Sequence, residues 1–166
     1  MIKTEIRCMR IVVLFCLLVL MSSNTGCFTK PSPLPMSDKV PKDLAIVDSK
    51  GDCHPERGTT DIEINARGEG SYQSRSGIMF MHVQFRKTFI LNETELLGLV
   101  DELEKSGFYS LNDSYYDPEV IDGYCASISI TRNNVTKSVS VANADAPEAY
   151  SKAAALIEGM AKNKTQ

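Results

Sequence analysis

The sequence has no tryptophan and only two histidines, and no apolar run in it approaches the ~20 residues that a bilayer-spanning helix needs. Each scarcity excludes something. With His54 and His82 as the only imidazoles, a Ser–His or Cys–His catalytic pair has two bases to draw on. His54 merely adjoins Cys53 in sequence, which is not the geometry of a nucleophile and its base. No G-x-S-x-G elbow, H-E-x-x-H, Walker loop or dinucleotide fingerprint occurs. The glycine pair at Gly68-Glu69-Gly70 is followed by no helical pattern, so it reads as a hairpin turn. Enzymatic activity is therefore not expected, and no cofactor is implied. Basic residues are also few: 18 Lys and Arg stand against 21 Asp and Glu. Three of those bases and one of those acids precede Cys27, so the remainder carries a net charge of −5. Nucleic acid and anionic lipid are poor partners for such a chain.

What is present begins with a leader. Lys3, Arg7 and Arg10 precede an unbroken apolar run, Ile11 to Met21, about half a membrane span in length. A basic flank followed by an apolar core of about 7–15 residues is the pattern of an export signal. The run ends in Ser22-Ser23-Asn24-Thr25-Gly26-Cys27. These residues resemble the lipobox of bacterial lipoproteins, where cleavage precedes a cysteine whose thiol receives a diacylglycerol. The resemblance implies residues 1–26 as the signal peptide and Cys27 as the lipidated residue, although Asn24 stands where that pattern prefers Leu. Two acyl chains suffice for a stable anchor. Cleavage nearby, or an uncleaved signal anchor from Ile11 towards Phe28, are the alternatives. Residues 27–42 then form a tether, with four of the seven prolines between Lys30 and Pro41. A single globular domain is expected over residues 43–162, with a tail at 163–166.

Cys8 and Cys16 fall in the leader, which leaves Cys53 and Cys125. Outside the cytoplasm an even pair reads most simply as a disulfide. The alternative, a zinc site from Cys53, His54, His82 and Cys125, lacks the short paired spacing of known zinc motifs. Four N-glycosylation sequons begin at Asn92, Asn112, Asn134 and Asn163, which would mark surface positions in a glycosylating organism.

Within the domain, Leu44 to Val47 reads as a short edge strand. Thr60 to Ala66 alternates and turns at Arg67-Gly68-Glu69-Gly70 into a partner strand, Ser71 to Arg75. Met79, Met81, Val83 and Phe85 form the apolar side of the next strand, with His82 half-exposed on the other. Asn92-Glu93-Thr94-Glu95 is a capping box that starts a helix with Leu96, Leu97, Val100 and Leu103 along one stripe and Gly107 as its stop. Ala126, Ile128 and Ile130 alternate, turn at Arg132-Asn133-Asn134, and return through Val139 and Val141. Asp145-Ala146-Pro147-Glu148 opens a second helix with a cap and an early proline, its apolar positions being Tyr150, Ala153, Ala154, Ile157 and Met160. The expected fold is α+β: about five or six antiparallel strands in the order β-β-β-α-β-β-α, with both helices on one face.

The order, together with Thr60-x-Ile62-x-Ile64, Arg67-Gly68-x-Gly70-x-Tyr72 and a set of mostly hydrophobic positions from Leu96 to Val139 that includes Asp122 and Lys137, resembles a domain-of-unknown-function family found in exported prokaryotic lipoproteins. Members commonly open with two close cysteines, whereas this chain has only Gly51-Asp52-Cys53-His54-Pro55. The resemblance implies a fold and brings no activity. The remaining candidate site is the loop 112–124, where Asp113, Asp117, Glu119 and Asp122 mix with tyrosines. Converging carboxylates there would suit Ca²⁺ or a cationic ligand, possession of weak hydrolytic activity included. The alternative is a solvated connecting loop. The function expected is a non-enzymatic, lipid-anchored envelope domain that binds a protein or ligand.

Overall fold

The computed structural model describes residues 39–54, 58–78, 81–120 and 123–166. The leader, Cys27 and the tether up to residue 38 lie outside the described residues. The elements run β1 (Ala45–Asp52), β2 (Thr59–Asn65), β3 (Glu69–Ile78), β4 (Met81–Ile90), α1 (Glu93–Lys105), a 3-10 turn (Phe108–Ser110), β5 (Ser114–Tyr116), β6 (Tyr124–Arg132), β7 (Val135–Ala142) and α2 (Glu148–Thr165).

One seven-stranded sheet has the order β4-β3-β2-β1-β6-β7-β5. Among the described residues the class is α+β with two α-helices, but the strands outnumber the expectation and the order becomes β-β-β-β-α-β-β-β-α. Two local misreadings account for this. The apolar signal at Leu44–Val47 suggested an edge strand, yet β1 continues through polar residues to Asp52 and sits mid-sheet between β2 and β6. Ser114–Tyr116, expected to be loop, pairs parallel to β7 and is the one parallel contact in the sheet.

Register fixes which residues share a face. A cross-strand row runs Val139, Ile128, Asp48, Ile62, Tyr72, Lys87, and the next runs Lys137, Ile130, Ile46, Ile64, Gly70, Phe89. Every buried apolar strand residue lies in such rows. They join Leu96, Leu99, Val100 and Leu103 of α1 and Tyr150, Ala153, Ile157 and Ala161 of α2 in one core. Both helices therefore cover the same face. Burial of a Leu, Ile or Phe side chain contributes about 1.5–3 kcal/mol, so this single layer supplies most of the driving force.

The helix ends show why these residues form helices. Asn92 Oδ1 accepts from the Glu95 N–H at 2.9 Å and Glu95 Oε2 accepts from the Asn92 N–H at 3.0 Å, the reciprocal pair of a capping box. Gly107 takes φ 83° just past α1, and Phe108 packs fully buried behind it. On the α1 stripe Leu99 is buried, whereas Leu97 is only partly so. α2 differs at its start: Pro147 itself is the N-cap and no side chain caps the helix, so Asp145 does not serve there. α2 also runs to Thr165, through the residues expected as a tail.

Two turns depend on backbone conformation. Asn133 and Asn134 have φ 52° and 60°, the paired positive angles of a two-residue hairpin turn. Their N–H groups both donate to the Asp43 carboxylate, at 2.9 Å from Asn133. Gly68 has φ 75°, and a Cβ there would lie 2.1 Å from the Leu91 carbonyl oxygen. Gly70 belongs to β3 rather than to the turn, and a Cβ there would meet the Phe89 ring. Phe89 is thus the aromatic anchor of β4. Phe85, expected to point into the core, is 48% exposed. The side chains of Met79, Met81, His82 and Val83 lie outside the described residues.

Cys53 and Cys125 form a disulfide with Cα atoms 4.8 Å apart and a sequence separation of 72. It closes the end of β1 onto β6. In the chain-entropy account a loop of this size is worth about 4 kcal/mol. The double variant Cys53→Ser/Cys125→Ser should lower the denaturation free energy by about that much, and a reducing agent should match it in the parent protein only. Equal midpoints for parent and variant would contradict the assignment.

Candidate functional site

The two faces of the sheet differ sharply in chemistry. Opposite the helices, one row reads Ser138, Ser129, Val47, Glu63, Ser71, Thr88, and the next reads Ser140, Ser127, Ser49, Asp61, Gln73, Arg86. No described helix covers this face. Hydroxyls dominate on the β6–β7 side, where Thr131 and Thr136 share a 2.8 Å hydrogen bond. Towards β4 the face becomes mixed. Arg75 donates to Asp61 at 2.8 Å, Ser49 donates to the same carboxylate, and Ile90 and Val47 stand 71% and 39% exposed. A groove of about 660 Å³ crosses the β1–β4 part, lined among others by Val47, Glu63, Ser71, Arg86 and Ile90. Alternation explains all of this: when one face of a strand supplies the core, the intervening residues form the other.

Polar groups also sit inside the covered face. Asp48 occupies the middle of its row between Ile62 and Ile128 and is 2% exposed. Its Oδ2 has no hydrogen-bond partner, and neither does the buried hydroxyl of Tyr150 on α2. Burial, followed by the charge of Glu158, raises the Asp48 pKa to about 6, against the opposing pull of Lys50. Burial likewise pushes the Tyr150 hydroxyl up, with Asp48 the next cause, and it raises that of Tyr124. Lys50 pairs with Glu158, which Lys162 also reaches at 3.0 Å. Burial pushes Glu158 up, but the hydrogen bonds from these two lysines outweigh it and hold the carboxyl low. At the other end of β6, Arg132 is 5% exposed, pairs with Glu104 of α1, and stacks 4.5 Å from the Tyr109 ring centroid.

The residues singled out by sequence fall elsewhere. Asp113 is held by Lys137 at 2.6 Å, and Asp117 Oδ1 accepts from the Glu119 N–H at 2.9 Å within its own turn. Glu119 is exposed, and Asp122 lies outside the described residues. Among the described residues no group of three or more His, Cys, Asp or Glu is placed to hold a metal ion. The sulfurs of Cys53 and Cys125 are bonded to each other, so the alternative zinc set loses its thiolates. Asn92, Asn112, Asn134 and Asn163 are all exposed, Asn92 being engaged as the α1 cap. Asp48 and Arg132 escaped the sequence reading. The signal for Asp48 was an acid at the inward phase of Leu44, Ile46, Asp48. Arg132 read as a turn residue, although it continues the inward phase of Ile128 and Ile130.

Residues 45–161 match the family model of a domain of unknown function, DUF6438. The match covers most of the chain, from the first residue of β1 into α2, and the protein belongs to this family. No curated protein matches the chain.

The buried carboxyl makes stability depend on pH with a definite sign. The folded state raises the Asp48 pKa from an ordinary 3.8 to about 6, so it binds the proton more tightly than the unfolded chain does. Stability from this group is fully present below pH 3.8 and is lost as pH rises through about 6. Asp48→Asn should remove that decline and stabilise the protein at pH 8 by up to about 3 kcal/mol, with little gain near pH 4. Denaturant unfolding across this range checks it. A variant whose stability relative to the parent does not change with pH contradicts the account.

Proposed function

We propose that this protein is a non-catalytic, lipid-tethered domain of the cell envelope that uses the open face of its sheet to bind a partner. The observation that carries the reading is the asymmetry of the sheet: seven strands wide, with both described helices on the same side. The open side offers the composition of a recognition surface, with exposed Val47 and Ile90 in a groove rimmed by Glu63, Arg86 and hydroxyls. The tether reading is supported by the leader and by Cys27 in its lipobox-like setting. No described helix is long and apolar enough to cross a membrane.

A photo-crosslinking residue placed at Val47 or Thr88 should give a discrete adduct in native membranes, whereas one placed at Glu148 or Lys152, on the exposed side of α2, should not. Adducts of equal yield from both sides would contradict the use of the open face. Separately, Cys27→Ser should release the protein into the soluble fraction. Retention of that variant in membranes would replace the lipid anchor by an uncleaved signal anchor.

A further inference from the structure

We infer that the edge of β4, which pairs with no further strand among the described residues, is a docking site for an extended acidic segment of a partner protein, added to the sheet as an eighth strand. The inference rests on the reading of this domain as a binding module and names the chemistry of what binds.

The two edges of the sheet are unequal. β5 contributes only Ser114–Tyr116, whereas β4 contributes ten residues. A sheet edge carries N–H and C=O groups with no strand to pair with, which makes it a template for another extended chain. The phase of β4 is fixed by the Leu91 N–H, which donates to the Gly68 carbonyl at 2.9 Å. Leu91, Phe89, Lys87 and Phe85 therefore face β3 with their backbone groups, and Gln84, Arg86, Thr88 and Ile90 face outward.

The charge around this edge selects the partner. The sequence contains 21 Asp and Glu, yet none lies between Glu69 and Glu93, a stretch that includes Arg75, Arg86 and Lys87. Arg75 is committed to Asp61. Arg86 is exposed on the open face and forms no ion pair among the described residues. Lys87 is exposed on the helix side, where it reaches the Thr165 carbonyl and lies 5.6 Å from the Phe85 ring centroid. An added strand with adjacent acidic residues would thus meet one cation on each face. Exposed Ile90 and Phe85 offer apolar contacts, again one on each face. Cross-strand pairs of opposite charge contribute, and like charges directly opposite destabilise. A second copy of β4 paired about Arg86 or Lys87 would bring its own cations against the same two, and in any register it brings no acid to them, so the edge favours an acidic guest over self-pairing.

The test uses the full chain in detergent with a short capped peptide in which two adjacent glutamates lie between valines. Binding should slow amide exchange at Gln84, Arg86, Thr88 and Ile90 while leaving Phe85, Lys87 and Phe89 unchanged. It should weaken with salt, and the matched lysine peptide should bind at least tenfold less tightly. The variant Arg86→Glu/Lys87→Glu should lose at least tenfold in affinity for the acidic peptide. As a second control that leaves the protein intact, N-methylation of the peptide at alternate amides should abolish binding. Equal binding of the lysine peptide, protection without alternation, or no protection at any β4 amide would each overturn the proposal. Concentration-dependent self-association that protects these amides without peptide would assign the edge to a second copy, and so overturn it too. Adducts from Val47 alongside a failed peptide test would leave the open-face reading standing and remove only the edge.

Discussion

The structure depends on one constraint: the apolar side chains that the strands pack into the core all lie on the same side of the sheet. Period-two alternation makes that possible, and antiparallel register makes it collective, because residues directly opposite share a face. Ile46, Ile64, Ile130 and Phe89 line up across the sheet in one row, with Gly70 left bare beneath the Phe89 ring. The helices close this layer from above. Because the core of the described residues lies on that side, its packing asks for no cover on the opposite face. An uncovered antiparallel face is stable in water provided its residues are polar, and the serine and threonine rows of β6 and β7 supply that polarity.

Each helix is also fixed to the sheet by a charge. Glu104 ties α1 to Arg132 of β6, and Glu158 ties α2 to Lys50 of β1, while Lys164 and Glu95 join the two helices at 2.7 Å. Surface pairs of the last kind contribute little. The Arg132–Glu104 pair is nearly buried, and its value lies in position more than in net energy: removing one partner would strand a charge in the core. Asp48 represents the opposite situation. It places a carboxyl among Ile62, Ile128 and Tyr150, and the cost of ionising it there is why its proton is held so firmly.

Much of the fold was legible because local rules and burial agreed. The capping box at Asn92, the stop at Gly107, the Asn133-Asn134 turn and the alternation of β2, β6 and β7 each carry a signal several residues long. Legibility failed where tertiary context supplied what the local sequence did not. β1 extends through Ser49, Lys50 and Gly51 because strands on both sides hold it, and β5 exists because Ser140 and Ala142 offer an edge to three residues. Phe85 and Phe89 look alike in sequence, and they differ in the cross-strand neighbour that register gives them, Ser74 for the exposed Phe85 and the bare Gly70 for the buried Phe89. The same applies to the candidate surfaces. Acidic residues in the 112–124 segment drew attention by composition, whereas the open face is spread over strands remote in sequence and appears only once register brings them together.

This arrangement separates the residues that hold the domain together from those we propose for recognition, although the two alternate along the strands. Val47 and Ile90 are the sharpest case, being large apolar residues that the account assigns to the recognition side. The direct test is the stability of the double variant Val47→Thr/Ile90→Thr, measured by denaturant unfolding. The account predicts a stability within about 1 kcal/mol of the parent, as expected of two surface substitutions. A loss of about 2–5 kcal/mol, the scale of a core truncation, would show that the open face is buried after all and contradict the one-sided core.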